Sequence, residues 1–275
     1  YTDFKVIISD DCSPEDLKSI CEPYLKDPRF TYRRNAENMG SKSLVSHWNL
    51  LVDMCDTEFL IMASDDDVYA PQFLEEIDKL TKKYPQVDLF RGRIAIIHEK
   101  GDVGRQDITY NEYEDNIQFL HSHFKRGLKC LANHVFRTQK LKAIEGFHET
   151  PLAWYSDQIT SIKLSDNGCA NTAEILFYFR ISNYNISGAP VNTQVASKKA
   201  IATLYADKWF CQYLKKHHIE DFKYRRWGLM VYYWLTDADF KTLLRLTPQV
   251  YRQGLWNGSW LLAIYRHHIK TLFRK

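Results

Sequence analysis

Between residues 58 and 71 the chain reads Glu-Phe-Leu-Ile-Met-Ala-Ser-Asp-Asp-Asp-Val-Tyr-Ala-Pro, a short apolar run that empties into three consecutive carboxylates, Asp65, Asp66 and Asp67. Pro71 then opens a helical pattern in which Phe73, Leu74, Ile77 and Leu80 recur on one face. A buried strand followed by acids and then a helix puts those acids at the carboxyl edge of a sheet, where open α/β sheets bind ligands. Three adjacent carboxylates repel one another, so their convergence needs an offsetting charge. A hard divalent cation with oxygen ligands supplies it, with substrate phosphates completing the shell. A solvated acidic turn that caps the next helix accounts for the same residues without any ligand. The triplet by itself leaves both readings open.

The elements around this stretch repeat its logic. Residues 4–9 form a β-branched run ending at Asp10-Asp11, and Ser13-Pro14 with Asp16 carries a helix-start signature ahead of Leu17, Ile20 and Tyr24. Residues 30–33 read as a second strand and 44–54 as a helix that leads into the strand at 59–63. Strand, helix, strand, helix, strand, helix predicts a mostly parallel sheet. Further on, the patterns predict a strand within 87–97 broken at Gly92, a helix near 116–125 and a strand over 128–137. A helix at 138–145 closed by Gly146, a helix at 157–165 and a strand at 173–180 follow. Residues 181–198, rich in Ser, Asn, Gly and Pro, read as a mobile loop, and helical patterns interrupted at Pro248 and Gly254 fill the rest.

The net charge of +3 conceals an asymmetry. Residues 205–275 carry 13 Lys and Arg against 5 Asp and Glu, a net +8, and hold five of the seven tryptophans. Two compositions imply two structural jobs, divided here as residues 1–199 and a helical, basic, aromatic-rich extension over 200–275. In that extension Trp227, Leu229, Met230, Tyr233, Trp234, Trp256, Trp260, Leu261, Ile264 and Tyr265 form apolar stripes bordered by Lys and Arg. Such stripes serve either as the core of a small helical bundle or as a surface in peripheral contact with an anionic membrane. No nucleic-acid-binding motif accompanies the basic residues, so no nucleic-acid partner is expected. No stretch reaches 18 uncharged apolar residues, and no signal-peptide pattern is visible. Six scattered cysteines without a CxxC pair argue against zinc or a disulfide framework and suit a reducing, cytoplasmic setting.

Two acidic turns, Asp10-Asp11 and Asp65-Asp66-Asp67, follow two strands and in a parallel sheet share one edge, so they can line one cleft; Asp10-Asp11 reads equally as a strand-ending Asx turn. A third acid, Asp157, sits in Trp-Tyr-Ser-Asp-Gln at a helix start. It reads either as an N-terminal helix charge or as a general base flanked by rings that stack on a sugar.

The ordered blocks Val-Ile-Ile-Ser-Asp-Asp-Cys-Ser, Asn38-Met-Gly40 with His47-Trp48-Asn49, the 58–71 stretch, Tyr155-Ser156-Asp157 and Phe179-Arg180-Ile-Ser-Asn resemble the inverting family 2 glycosyltransferases. The resemblance covers about residues 1–190. It implies a GT-A type α/β fold, three α/β/α layers around a mostly parallel central sheet, followed here by the C-terminal helical extension. By position, Asp10 and Asp11 would lie in the donor site with Asp11 on the nucleobase, Asp65 would meet the ribose or sit near the metal, and Asp66 would ligate Mn²⁺ or Mg²⁺. Asp67 would be a helix cap. Arg180 and the loop after it would close over the donor phosphates, and Asp157 would deprotonate the acceptor hydroxyl. The implied partners are a nucleotide-sugar donor, UDP-linked by family habit, and a glycan or lipid-linked acceptor in bacterial cell-surface polysaccharide synthesis. The implied location is the cytoplasm or the inner face of the cytoplasmic membrane. Two departures stand out: the first aspartate of the family's Asp-x-Asp motif falls on Ala63, and members carry a central strand and helix ahead of the position of Tyr1. Such a strand is therefore expected upstream, since without it two strands would face a gap. A nucleotidyltransferase would instead show a glycine-rich basic loop after its first strand. A nucleotide-binding protein without turnover would share the acidic turns.

Overall fold

The computed structural model describes residues 1–124, 127–182, 191–219 and 226–272. They fall into two compact units, residues 1–149 with 156–182, and residues 150–155 with 183–275.

The first unit opens with β1 (Val6–Asp10) and β2 (Phe30–Arg34), a parallel pair whose register sets Asp10 opposite Arg34. Between them α1 (Leu17–Cys21) is capped by Asp16, which accepts from the Ser19 nitrogen. Ser13 stays in the turn after β1, its nitrogen donating to Asp10 (2.7 Å) and its hydroxyl accepting from the Glu15 nitrogen (3.2 Å). Next, α2 (Gly40–Met54) is kinked at Ser43 (φ −150°, ψ 109°), whose hydroxyl accepts from the Ser46 nitrogen and donates to Glu149. Ser43 thereby acts as an internal cap, which is why periodicity alone starts this helix at 44.

The larger sheet follows the order β3 (Phe59–Leu60), β8 (His134–Arg137), β5 (Leu89–Ile97), β9 (Cys169–Arg180), β4 (Val68–Tyr69), with β6 (Val103–Gln106) against β5 and β7 (Tyr113–Glu114) against β9. Among the described residues no strand pairing joins it to β1 and β2. The layering of helices and sheet is as expected, but this sheet is mixed rather than mostly parallel: β5 and β9 run parallel, and the other pairings are antiparallel. For the pairing of β5 with β6 a short connection explains it. The turn from His98 to Asp102, closed by a 3.1 Å bond between their main chains, leaves room only for an antiparallel return, since a parallel one needs a crossover of about a dozen residues. The strand expected over 59–63 stops at Leu60, and that over 128–137 begins only at His134, whose Nδ1 lies 2.8 Å from the Cys130 carbonyl.

Helix α3 (Phe73–Lys83) buries Phe73, Ile77 and Leu80 against Phe90, Ile94 and Phe177 of β5 and β9. A Cβ on Gly92 would stand 2.4 Å from the Phe73 ring, so the glycine lets α3 lie directly on the sheet. The pairing of β5 with β9 shifts register on either side of it. Helices α4 (Asn116–Phe124), α5 (Thr138–Ala143) and α6 (Ser156–Leu164) complete the unit. Gly146, with φ +78°, ends α5 by donating to the Leu141 carbonyl, as its position predicts.

The second unit holds α7 (Thr193–Lys216), α8 (Arg226–Asp237), α9 (Phe240–Arg252) and α10 (Gly258–Leu272). Residue 200, where the composition changes, lies inside α7. The four helices share a core of Ala200, Leu204, Val231, Leu235, Leu246 and Leu261, among others. Pro248 does not break α9; it sits on the exposed side, and the helix ends where Gly254 adopts φ +64°. Trp234, Leu261 and Ile264 are core, whereas Leu229, Tyr233, Trp256 and Trp260 are exposed. The side chain of Trp227 and the middle of the 181–198 loop, 183–190, lie outside the described residues. Among those described, no helix is long and apolar enough to cross a membrane.

Candidate active site

The acids at the end of β1 are engaged by their own neighbourhood. Asp10 is buried and accepts from the Ser13 nitrogen (2.7 Å) and the Tyr32 hydroxyl (2.7 Å), with the Arg34 guanidinium paired to the same carboxylate. The Ser13 amide, then Tyr32 and Arg34, hold it below the usual carboxylate range against the cost of burial. Asp11 reaches the other way, to α2. It accepts from Asn35 Nδ2 (2.6 Å) and from the main-chain nitrogens of Met39 (2.9 Å) and Gly40 (2.7 Å). Burial alone would raise this carboxyl, but Asn35, Gly40 and Met39 outweigh it and the net direction is downward. A Cβ at Gly40 would lie 2.9 Å from Asp11 Oδ2, so the glycine admits the acid to the helix N-terminus. His47 Nδ1 stands 3.7 Å from Asp11, and its Nε2 lies 3.1 Å from the Ser9 hydroxyl. None of these partners belongs to the 65–67 turn.

That turn is held by Arg180, the last residue of β9. The Arg180 nitrogen donates to Asp67 Oδ1 (2.9 Å), Nε donates to the Asp66 carbonyl (2.9 Å), and Nη1 reaches the carbonyls of His98 (3.1 Å) and Glu99 (3.2 Å). Asp67 is therefore not the cap of α3, a position held by Gln72. It is a partly buried carboxylate pushed up to about 6, chiefly by burial and further by the Asp66 charge, against the opposing Arg180 amide. Its Oδ2 is buried with no hydrogen-bond partner among the described residues. The guanidinium expected over the donor phosphates donates to main-chain carbonyls that tie the acidic turn to the end of β5. Asp65 is exposed and Asp66 half-buried.

Asp157 stands in the first turn of α6, after Tyr155, which adopts φ +70°. Its side chain keeps partial solvent access, yet the protein packed around it pushes the carboxyl up to about 6, opposed by the amides at the helix start and by Lys129. Asp67 and Asp157 both act on the Cys130 thiol, which burial and these two charges push up. The loop over 128–133 thus lies within electrostatic reach of both acids. Lys129 and Cys130 had no signal in the sequence beyond an apolar stretch that reads as strand; their relevance comes from folding 128–133 as a loop.

The family model described as glycosyl transferase family 2 matches residues 1–144, which is more than half of the 275 residues. The chain belongs to glycosyl transferase family 2. Among solved structures it is similar to S. aureus TarS 1–349 in complex with UDP-GlcNAc, at 15% identity and TM-score 0.57, over 100% of this chain and 84% of that one. It is also similar to the mannosyltransferase PcManGT from Pyrobaculum calidifontis in complex with GDP-Man and Mn²⁺, at 11% identity and TM-score 0.50, over 96% and 77%. At such identities the likeness is one of fold: this family 2 glycosyltransferase has the GT-A type α/β architecture with C-terminal helices.

A divalent cation is the group this fold implies. Among the described residues no three His, Cys, Asp or Glu side chains converge on a common point. The acidic turn offers adjacent carboxylates and no thiolate or imidazole, a donor set suited to Mg²⁺ or Mn²⁺ that takes its remaining ligands from substrate phosphates. The fit is that of a shared site.

Proposed function

We propose that this glycosyltransferase moves a sugar with inversion from a nucleotide-diphosphate donor, UDP-linked, to a hydroxyl of a glycan or lipid-linked acceptor. The observation that carries the reading is Asp157: a carboxylate poised near 6, partly open to solvent, in the same unit as the acidic turn. At neutral pH such a group is ionised and still basic enough to take a proton. Asp157 accepts the proton of the acceptor hydroxyl as that oxygen attacks the anomeric carbon from the face opposite the diphosphate. The bond from the anomeric carbon to the diphosphate oxygen breaks, the nucleotide diphosphate leaves, and the sugar's configuration inverts. Asp66 would hold Mn²⁺ or Mg²⁺, with Asp65 beside it at the ribose, and the cation would supply positive charge to the leaving diphosphate. Asp11, which fixes the start of α2, would also accept from a nucleobase N–H. Arg180 acts on the donor through the turn it fixes.

The test is a thermal-shift screen of nucleotide sugars with and without Mn²⁺, followed by donor turnover for those that bind, since a bound ligand raises stability by mass action. The reading predicts stabilisation by a UDP-sugar that depends on the metal, and turnover that a chelator stops. Binding with neither transfer nor hydrolysis of any nucleotide sugar would instead mark a binding protein. Release of pyrophosphate from a nucleoside triphosphate would mark a nucleotidyltransferase.

A further inference from the structure

The hairpin of α9 and α10 presents a face that the transfer reaction does not use. The two helices run antiparallel, with Thr247 and Tyr265 bonded through their hydroxyls at 2.8 Å and the rings of Phe240 and Tyr265 in edge contact. Toward the core α9 turns Leu243, Leu246 and Val250. Its other side exposes Lys241, Leu244, Arg245, Pro248, Tyr251 and Arg252, whose spacing lays them on one face. At the hairpin tip Tyr251, 67% exposed, meets Trp256, 54% exposed, edge to face at 5.7 Å. Trp260, 47% exposed, packs edge-on against Tyr232 at 5.2 Å. Helix α10 adds exposed Leu262 and Ile269 beside Arg266 and Lys270. Residues 240–275 contain seven Lys and Arg and no Asp or Glu.

We propose that this face docks on an anionic lipid bilayer. Exposed Trp and Tyr rings at a hairpin tip suit the headgroup layer, where one edge is apolar and the other wet. Exposed Leu244, Leu262 and Ile269 need an apolar partner, which neither a stacked nucleic acid nor a hydrated glycan offers. The acid-free basic residues among them need a negative one. A second copy of the chain would set this positive face against itself, a like-charge arrangement that opposes dimerisation. A surface both apolar and cationic is complementary to acidic phospholipid.

Sedimentation of the full chain with phosphatidylcholine vesicles, with and without phosphatidylglycerol, tests it. Binding to the phosphatidylglycerol vesicles, weakened by salt and accompanied by a blue shift of tryptophan emission, is expected. Each reversal at Arg245→Glu or Arg252→Glu should lower the partition constant by about fivefold or more. Trp256→Ser with Trp260→Ser should remove the binding that survives in salt. Lys208→Glu, the same charge change at an exposed site on α7, should bind more tightly than either hairpin variant. All these positions are exposed, so unchanged melting curves confirm that the variants fold. Failure to partition, equal loss with Lys208→Glu, or loss of a lipid-free dimer in the tryptophan variant would each overturn the proposal, as would tighter binding to an oligonucleotide than to the vesicles.

Discussion

Arg180 holds the acidic turn through its main chain and its side chain at once: its nitrogen donates to Asp67 at 2.9 Å, and its guanidinium donates to the carbonyl of Asp66, also at 2.9 Å. The end of β9 and the turn after β3 are thus one mechanical piece, and the carboxylates proposed to meet the donor are oriented from behind. Because the planar fork also reaches His98 and Glu99, no single ammonium can replace it. Arg180→Lys should therefore weaken donor binding by about tenfold while leaving the acceptor's apparent KM unchanged. Steady-state kinetics with each substrate varied in turn checks this.

The carboxyl of Asp157 rests at about 6, above its ordinary value of 3.8. As a base it must be ionised, so the transfer rate should fall as pH drops through about 6, approaching tenfold per unit below it. Folding carries the opposite sign. A carboxyl raised in the folded state favours folding at pH below its unfolded value, and that contribution is lost as pH rises through about 6. Asp157→Asn, which has no charge to desolvate, should be more stable than wild type at neutral pH, by on the order of 1 kcal/mol after allowing for partial exposure. The difference should vanish near pH 3.8. Denaturant titrations across this range would show whether it does.

Asp11 satisfies two main-chain nitrogens at the start of α2 together with Asn35. Asp11→Ala should cost about 1–2 kcal/mol of stability even without nucleotide, whereas Asp11→Asn should keep much of that capping. A calorimetric comparison of both variants with and without UDP separates the capping role from any contact with the base: loss of UDP affinity in Asp11→Asn at near-normal stability marks the second.

Gly92 is where α3 touches the sheet. Gly92→Ala would drive a Cβ into the Phe73 ring at 2.4 Å, an overpacking that should cost about 1–3 kcal/mol. Gly92→Ala combined with Phe73→Leu should recover part of that loss, and the thermal midpoints of the two variants measure it.

What could be read from the sequence was what periodicity encodes. Phe73, Ile77 and Leu80 mark the buried face of α3, and Gly146 marks the end of α5, because each depends on neighbours along the chain. The short strands were not legible. Val68 and Tyr69 form β4 only because Tyr178 and Phe177 of β9 lie opposite them. Residues 61–63 are as apolar as Phe59 and Leu60, yet only the latter two find a partner in β8. The same limit governs the site. The acids themselves were visible, but the Arg34 and Tyr32 that engage Asp10, and the Arg180 amide that engages Asp67, are 22 to 113 residues away.

The account rests on Asp157 being the group that takes the acceptor's proton. The most direct measurement is the rate of sugar transfer by Asp157→Asn at neutral pH with donor saturating, alongside calorimetric donor affinity. A fall of about 10²–10⁴-fold in rate with donor affinity unchanged is the predicted result. Transfer at a rate close to that of the wild type would contradict it.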